Sequence, residues 1–191
     1  MRTEKATLPG GILTDIPNTY LFIPGPSRKS GSGGSRQRAI TIRFKILPEI
    51  TDGKRTSFIG EPIQGRTSPL KTYSHSEERI VNITMHFILA GEDDAELHLE
   101  YLRWIQSAVY PRERENFLYL PPPVCEFKCG ALLGEEPLTI VLQSYNVKYP
   151  VNVAWEPVYH IPMKFSIDTT WETVYRSDEL PGQERIINWG N

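Results

Sequence analysis

Four histidines, His75, His86, His98 and His160, are the side chains best suited to move protons or ligate a metal, and their spacing serves neither task. A zinc protease needs two imidazoles four apart on one helix face in an HExxH run, and a structural zinc site needs a cysteine-rich set; the sequence offers neither. The acid pairs Asp93/Asp94, Glu77/Glu78 and Glu135/Glu136 are adjacent, so in a strand they point apart, and they read as turn and helix-start chemistry. Glu61 and Glu126 would need a fixed separation to cleave a glycoside, which nothing in the sequence supports. Cys125 and Cys129 fall four apart in one apparent strand, where the rise separates their Cα atoms by ~13 Å, too far to bridge, so they read as buried thiols. The serines around residues 30–35 lie in GSGGS, too flexible to preorganise a nucleophile, and no GxSxG elbow exists. No catalytic, cofactor-binding or metal site is expected, and the chain reads as something other than an enzyme.

The elements carrying these residues are mostly strands. Ile40, Ile42, Phe44 and Ile46 alternate with polar residues, as do Val81, Ile83, Met85, Phe87 and Leu89; both are strands with one buried face. Cys125, Phe127 and Cys129 give a third, after the stiff run Pro121–Pro123. Leu138 to Tyr149 gives a fourth, with Val147, Tyr149, Val151, Val153 and Trp155 continuing the alternation past Pro150. Val158 to Ile167, with Tyr159, Ile161, Met163 and Phe165 on one side, gives a fifth, which residues 171–175 extend. Residues 1–38 read as an N-terminal arm followed, over 24–38, by a Gly/Ser/Arg-rich linker or long hairpin loop. Residues 47–78 show no clear period, and a loop of that length usually serves function or partner contact.

One helix is written plainly, over 92–110. Glu92, Asp93 and Asp94 suit its N-terminus, and Pro111 ends it. Its apolar residues, among them Leu97, Leu102, Trp104, Ile105 and Val109, spread over roughly 220° of its circumference, against about 100° for a helix resting on one surface. Something apolar is expected on two sides. His98 lies inside that arc and reads as a core or interface histidine, with a ligand or switch role as the sharper alternative.

With 39% hydrophobic and 23% charged residues, the 191-residue chain has an ordinary globular composition, and its net charge of -2 argues against a protein devoted to nucleic acid. A basic module built on Arg28, Lys29, Arg36, Arg38 and Arg43 is the second alternative reading. MRTEKATLPGG carries no apolar core of a leader, so cytoplasmic synthesis is the expectation. The fold class expected is α+β: an antiparallel β-sandwich or barrel over residues 39–175 with one flanking amphipathic helix and extended arms, and a tail, 176–191, that docks through Ile186, Ile187 and Trp189.

The stretches IRFKILPEITDGKRTSFIGEPIQGRTSPLKTYSHSEERIVNITMHF, YLRWIQSAVYP, PPPVCEFKCG and LQSYNVKYPVNVAWEPVYHIPMKFSIDTTWE, in that order over about residues 40–175, resemble the hub/wedge adaptor proteins of contractile phage-tail baseplates and related injection systems. That resemblance implies a tail-tube-like β fold, no cofactor, and six copies about the tail axis as a homo-oligomer. It implies a virion location, assembled in a bacterial cytoplasm, between the hub or tail tube and the baseplate wedge proteins, without membrane or direct nucleic-acid contact. Many members carry a LysM module; the residues after Ile187 leave no room for one, so peptidoglycan binding is not expected. A tail tube initiator, or another tube-like ring protein, is the alternative. The expected interface residues are Leu102, Trp104, Ile105 and Val109 on the helix, Gly65, Arg66, Ser68, Pro69 and Tyr73 on the arm, and Ile186, Ile187 and Trp189 in the tail.

Overall fold

In the computed structural model, residues 15–29, 35–65, 67–89, 92–114 and 117–174 are described. They form strands β1 (Thr19–Lys29), β2 (Ser35–Arg43), β3 (Glu49–Gly53), β4 (Thr56–Glu61), β5 (Leu70–Ser76) and β6 (Ile80–Ile88), then helix α1 (Glu92–Ser107). Strands β7 (Arg112–Arg114), β8 (Phe117–Leu120), β9 (Val124–Cys129), β10 (Leu138–Lys148) and β11 (Lys164–Thr173) follow. Seven strands build one antiparallel sheet in the order β2-β1-β9-β10-β11-β6-β3, while β4-β5 and β7-β8 are separate two-stranded ladders. The architecture is antiparallel β-sheet with one helix, in keeping with the α+β expectation.

Register lines up the apolar side chains in rows. Ile42 opposes Leu21, which opposes Phe127, and Phe127 opposes Leu138. Leu142 opposes Trp171, and Trp171 opposes Val81. These inward faces merge with Tyr101, Leu102 and Ile105 of α1, and with Ala108 just past it, into one core. Phe44, just past β2, meets Phe127 edge-on at 6.3 Å. Lys45 binds Asp94 at 2.7 Å, which ties the end of β2 to the start of the helix.

Several expectations change. Residues 19–29, assigned to a separate arm, form an inner strand between β2 and β9, because the alternating Leu21 and Ile23 complete the core. Of the two readings of 24–38, linker or long hairpin loop, the hairpin holds, with β1 and β2 paired as far as Lys29 opposite Ser35. The wide apolar arc of α1 resolves into one buried stripe, Ala95, His98, Tyr101, Leu102, Ile105 and Ala108, with Leu97 turned to solvent. Trp104 and Val109 flank the stripe, half-buried against the core. In β10 an irregularity between Leu142 and Ser144 shifts the inward set from Ile140 and Leu142 to Tyr145 and Val147. The strand then stops at Lys148: Val151 is fully solvated and Val153 and Trp155 lie in an irregular segment, so the alternation past Pro150 is not strand. The strand expected from Val158 begins at Lys164, since Pro157 and Pro162 withhold ladder donors.

Candidate interaction surface

The unpatterned stretch 47–78 contains a projecting hairpin. After β3 the chain leaves the main sheet, pairs β4 with β5, and returns to begin β6. The Glu77 amide donates to the Arg55 carbonyl at 2.9 Å and closes the hairpin's root. Gly65, at φ +90°, occupies the loop joining its strands, where a side chain would be strained. Phe58 opposes Tyr73, their rings edge-to-face at 6.2 Å, while Ile59 opposes Thr72 and Leu70 opposes Glu61. One face therefore carries Phe58 and Tyr73, the other Ile59 and Leu70. Both are solvated: Phe58, Ile59 and Tyr73 are more than half exposed. A two-stranded hairpin is marginal in water without a surface to lie on.

A second apolar surface lies beyond β10, over residues 149–163. Glu156 is buried, and its carboxylate accepts the amides of Val158 at 2.9 Å and Tyr159 at 2.5 Å. The Glu156 amide donates to the Ile161 carbonyl and the Met163 amide to the Ala154 carbonyl, each at 2.8 Å, pinching the segment into a lobe. The Leu89 amide, donating to the Met163 carbonyl at 2.9 Å, anchors the lobe to the end of β6. This frame leaves Val151, Trp155, Val158, Tyr159 and Met163 exposed. Sequence reasoning missed the lobe by continuing one strand's alternation through Val151 and Trp155 and beginning the next strand at Val158. Three prolines around one acid, Pro150, Pro157 and Pro162 about Glu156, were the available signal.

The expected site residues divide. Leu102 and Ile105 lie in this chain's own core, the alternative that helix periodicity left open for them beside helix packing at an interface, because it does not say which chain covers the stripe. Trp104 and Val109 keep an exposed edge; the Trp104 indole N–H faces Glu100 at 3.4 Å. Gly65, Ser68, Pro69 and Tyr73 are exposed on the hairpin and its loop. Arg66, Ile186, Ile187 and Trp189 lie outside the described residues.

His98 is enclosed by Phe87, Tyr101 and Phe165, with the Phe87 ring centre at 5.2 Å. Its Nδ1 is buried without a hydrogen-bond partner. Burial pushes its pKa down to about 4, Asp94 partly opposing this and Lys45 adding to it. It is a neutral core imidazole with no reacting group beside it.

On the outer face of the sheet, side chains pair across strands. Asp168 binds Lys148 at 2.6 Å and accepts from Thr84 at 2.9 Å, contacts that hold its carboxyl below the usual range. Arg79 grips Asp52 through Nε at 2.7 Å, and His86 meets Glu49 at 3.3 Å. The Glu78 carboxyl is hydrogen-bonded to that of Glu172, which raises its pKa, and Gln143 donates to Glu172 as well. These groups lie on an open sheet face. Glu61 and Glu126 sit on different sheets. Among the described residues, no three His, Cys, Asp or Glu side chains gather closely enough to hold a metal ion, and no helix is long and apolar enough to cross a membrane. The hairpin and the lobe are exposed apolar surfaces. No protein-family model matches the sequence, and no curated protein matches it.

Proposed function

We propose that this chain is a structural subunit of a contractile-tail baseplate, six copies of which form a ring between the central hub or tail tube and the surrounding wedge proteins. The observation that carries this reading is the solvated hairpin, which sets large apolar side chains on both faces and lies off the sheet that holds the core. Ile59 and Leu70 form one contact face for a neighbour. The lobe's Trp155, Val158 and Tyr159 form a second, attached at another part of the sheet. Two separated apolar surfaces on one chain suit a head-to-tail ring, in which each subunit makes two different contacts. In this reading the seven-stranded sheet and its helix are the tail-tube-like unit, and the edge strands β2 and β3 face neighbours instead of water.

The test is native mass spectrometry and size-exclusion chromatography with light scattering, on the chain alone and co-expressed with the tube, hub and wedge proteins encoded beside it. A six-copy ring, alone or on those partners, that is lost in an Ile59→Ser/Leu70→Ser variant is the expected result. A chain that stays monomeric and binds none of the three partners overturns the proposal.

A further inference from the structure

The chain's net charge of -2 is unevenly spread. Residues 16–48 contain Arg28, Lys29, Arg36, Arg38, Arg43 and Lys45 and no acid, a charge of +6, so the rest of the chain carries -8. Lys45 is engaged with Asp94, and four of the other five cations fall at one place in the fold. The pairing of β1 with β9 ends at Phe22 opposite Glu126, while β1 and β2 stay paired from Ile23 opposite Ile40 out to Lys29 opposite Ser35. β2 is an edge strand, so among the described residues the two strands run on as a ribbon roughly 20 Å long with no third strand hydrogen-bonded at either side. Arg28, Lys29, Arg36 and Arg38 all lie on it, with Arg28 directly opposite Arg36.

The ribbon's composition selects the chemistry of its partner. Between Ile23 and Ile40 the residues of β1 and β2 read PGPSRK and SRQRA, with no aromatic group and no aliphatic one beyond proline and alanine. A surface made to meet protein carries such groups at its centre, whereas this one offers charge and hydrogen bonds. Three of the four cations are arginine, whose forked donors take a phosphate two at a time. Like charges directly opposite in a ladder cost stability, a cost that a polyanion reverses. A two-stranded β-ribbon fits the major groove of duplex DNA, about 12 Å wide and walled by phosphates.

We infer that the β1–β2 ribbon binds the phosphates of duplex DNA, without reading its sequence, through Arg28, Lys29, Arg36 and Arg38. The contact needs no second subunit, so it stands or falls separately from the ring.

Fluorescence anisotropy of the full chain with a labelled DNA duplex of about 20 base pairs tests it. Four neutralised phosphates give a slope of about -3.6 for log affinity against log salt, so affinity should fall about 150-fold between 50 and 200 mM salt. Arg28→Ser, Arg36→Ser and Arg38→Ser should each lessen that slope by about 0.9 while keeping the wild-type urea midpoint, and Arg36→Lys should leave the slope unchanged. Poly-glutamate at equal charge should displace the labelled duplex at least tenfold less well than unlabelled duplex does. No binding at 50 mM salt, or serine variants that bind as wild type does, overturns the inference. Equal displacement by poly-glutamate also overturns it, because the ribbon would then be a site for an acidic protein.

Discussion

Lowering the pH should unfasten α1 through His98. The imidazole is enclosed by Phe87, Tyr101 and Phe165 and lacks a partner at Nδ1, so the native state resists its protonation down to about pH 4, against an ordinary 6.5. In the unfolded chain the ring is solvated and takes its proton near 6.5. Between those values the unfolded state binds more protons than the native state, so stability falls as pH falls. Above 6.5 both states are neutral and the slope vanishes. At about 1.4 kcal/mol per pH unit, the interval from 6.5 to about 4 amounts to about 3 kcal/mol. That is a large share of the 5–15 kcal/mol that holds a typical domain. The assay is urea unfolding followed by tryptophan fluorescence at pH 7, 6, 5 and 4, for wild type and His98→Leu. Both proteins share the Asp168 and Glu78 contributions, so their difference isolates the imidazole. Leucine has similar volume and no proton to gain, so the variant should be no less stable at pH 7 and should pull ahead by about 3 kcal/mol at pH 4. Two curves that fall in parallel would show that His98 is solvated or hydrogen-bonded in the native state and refute the reasoning.

The remaining predictions concern packing and the lobe. Trp171 is wholly buried, and its indole N–H donates to Thr169 Oγ1 at 2.7 Å, whose hydroxyl donates to the Ile83 carbonyl at 2.8 Å; Trp104 is half-buried. Trp171→Ala should therefore cost about 3–5 kcal/mol and Trp104→Ala roughly half that, as read by urea midpoints, with equal costs contradicting the burial difference. Glu156→Ala removes the acceptor for two amides, so hydrogen exchange at Val158 and Tyr159 should rise at least tenfold while β11 is unaffected. Unchanged exchange there would mean the lobe is held by other contacts.

Where a side-chain period is local, the sequence spoke clearly. Val81, Ile83, Met85 and Phe87 alternate in and out because a strand has a period of two, and all four are buried on one face of β6. Cys125, Phe127 and Cys129 behave likewise in β9. The helix could be placed from its acidic start and following proline, since caps and breakers act within a turn or two. Legibility ended where long-range pairing decides. Leu21 and Ile23 gave too short a pattern, amid prolines and glycines, to reveal an inner strand whose partners are β2 and β9. The register irregularity in β10 reverses the meaning of every later position, and no local residue type announces it.

The interaction surface shows the same division. Its apolar residues were legible in sequence, and Tyr73 with its neighbours was expected to meet other subunits. Which apolar groups remain outside was not legible, because hydrophobicity states a need for cover without naming the cover. By itself the sequence determined the strands with clean alternation and the place of the helix. The tertiary structure decided that Leu102 and Ile105 are consumed by the core while Phe58, Ile59 and Trp155 are left to solvent. The physical reason is that burial belongs to pairs of surfaces, and chain closure over long sequence separations chooses the pairs.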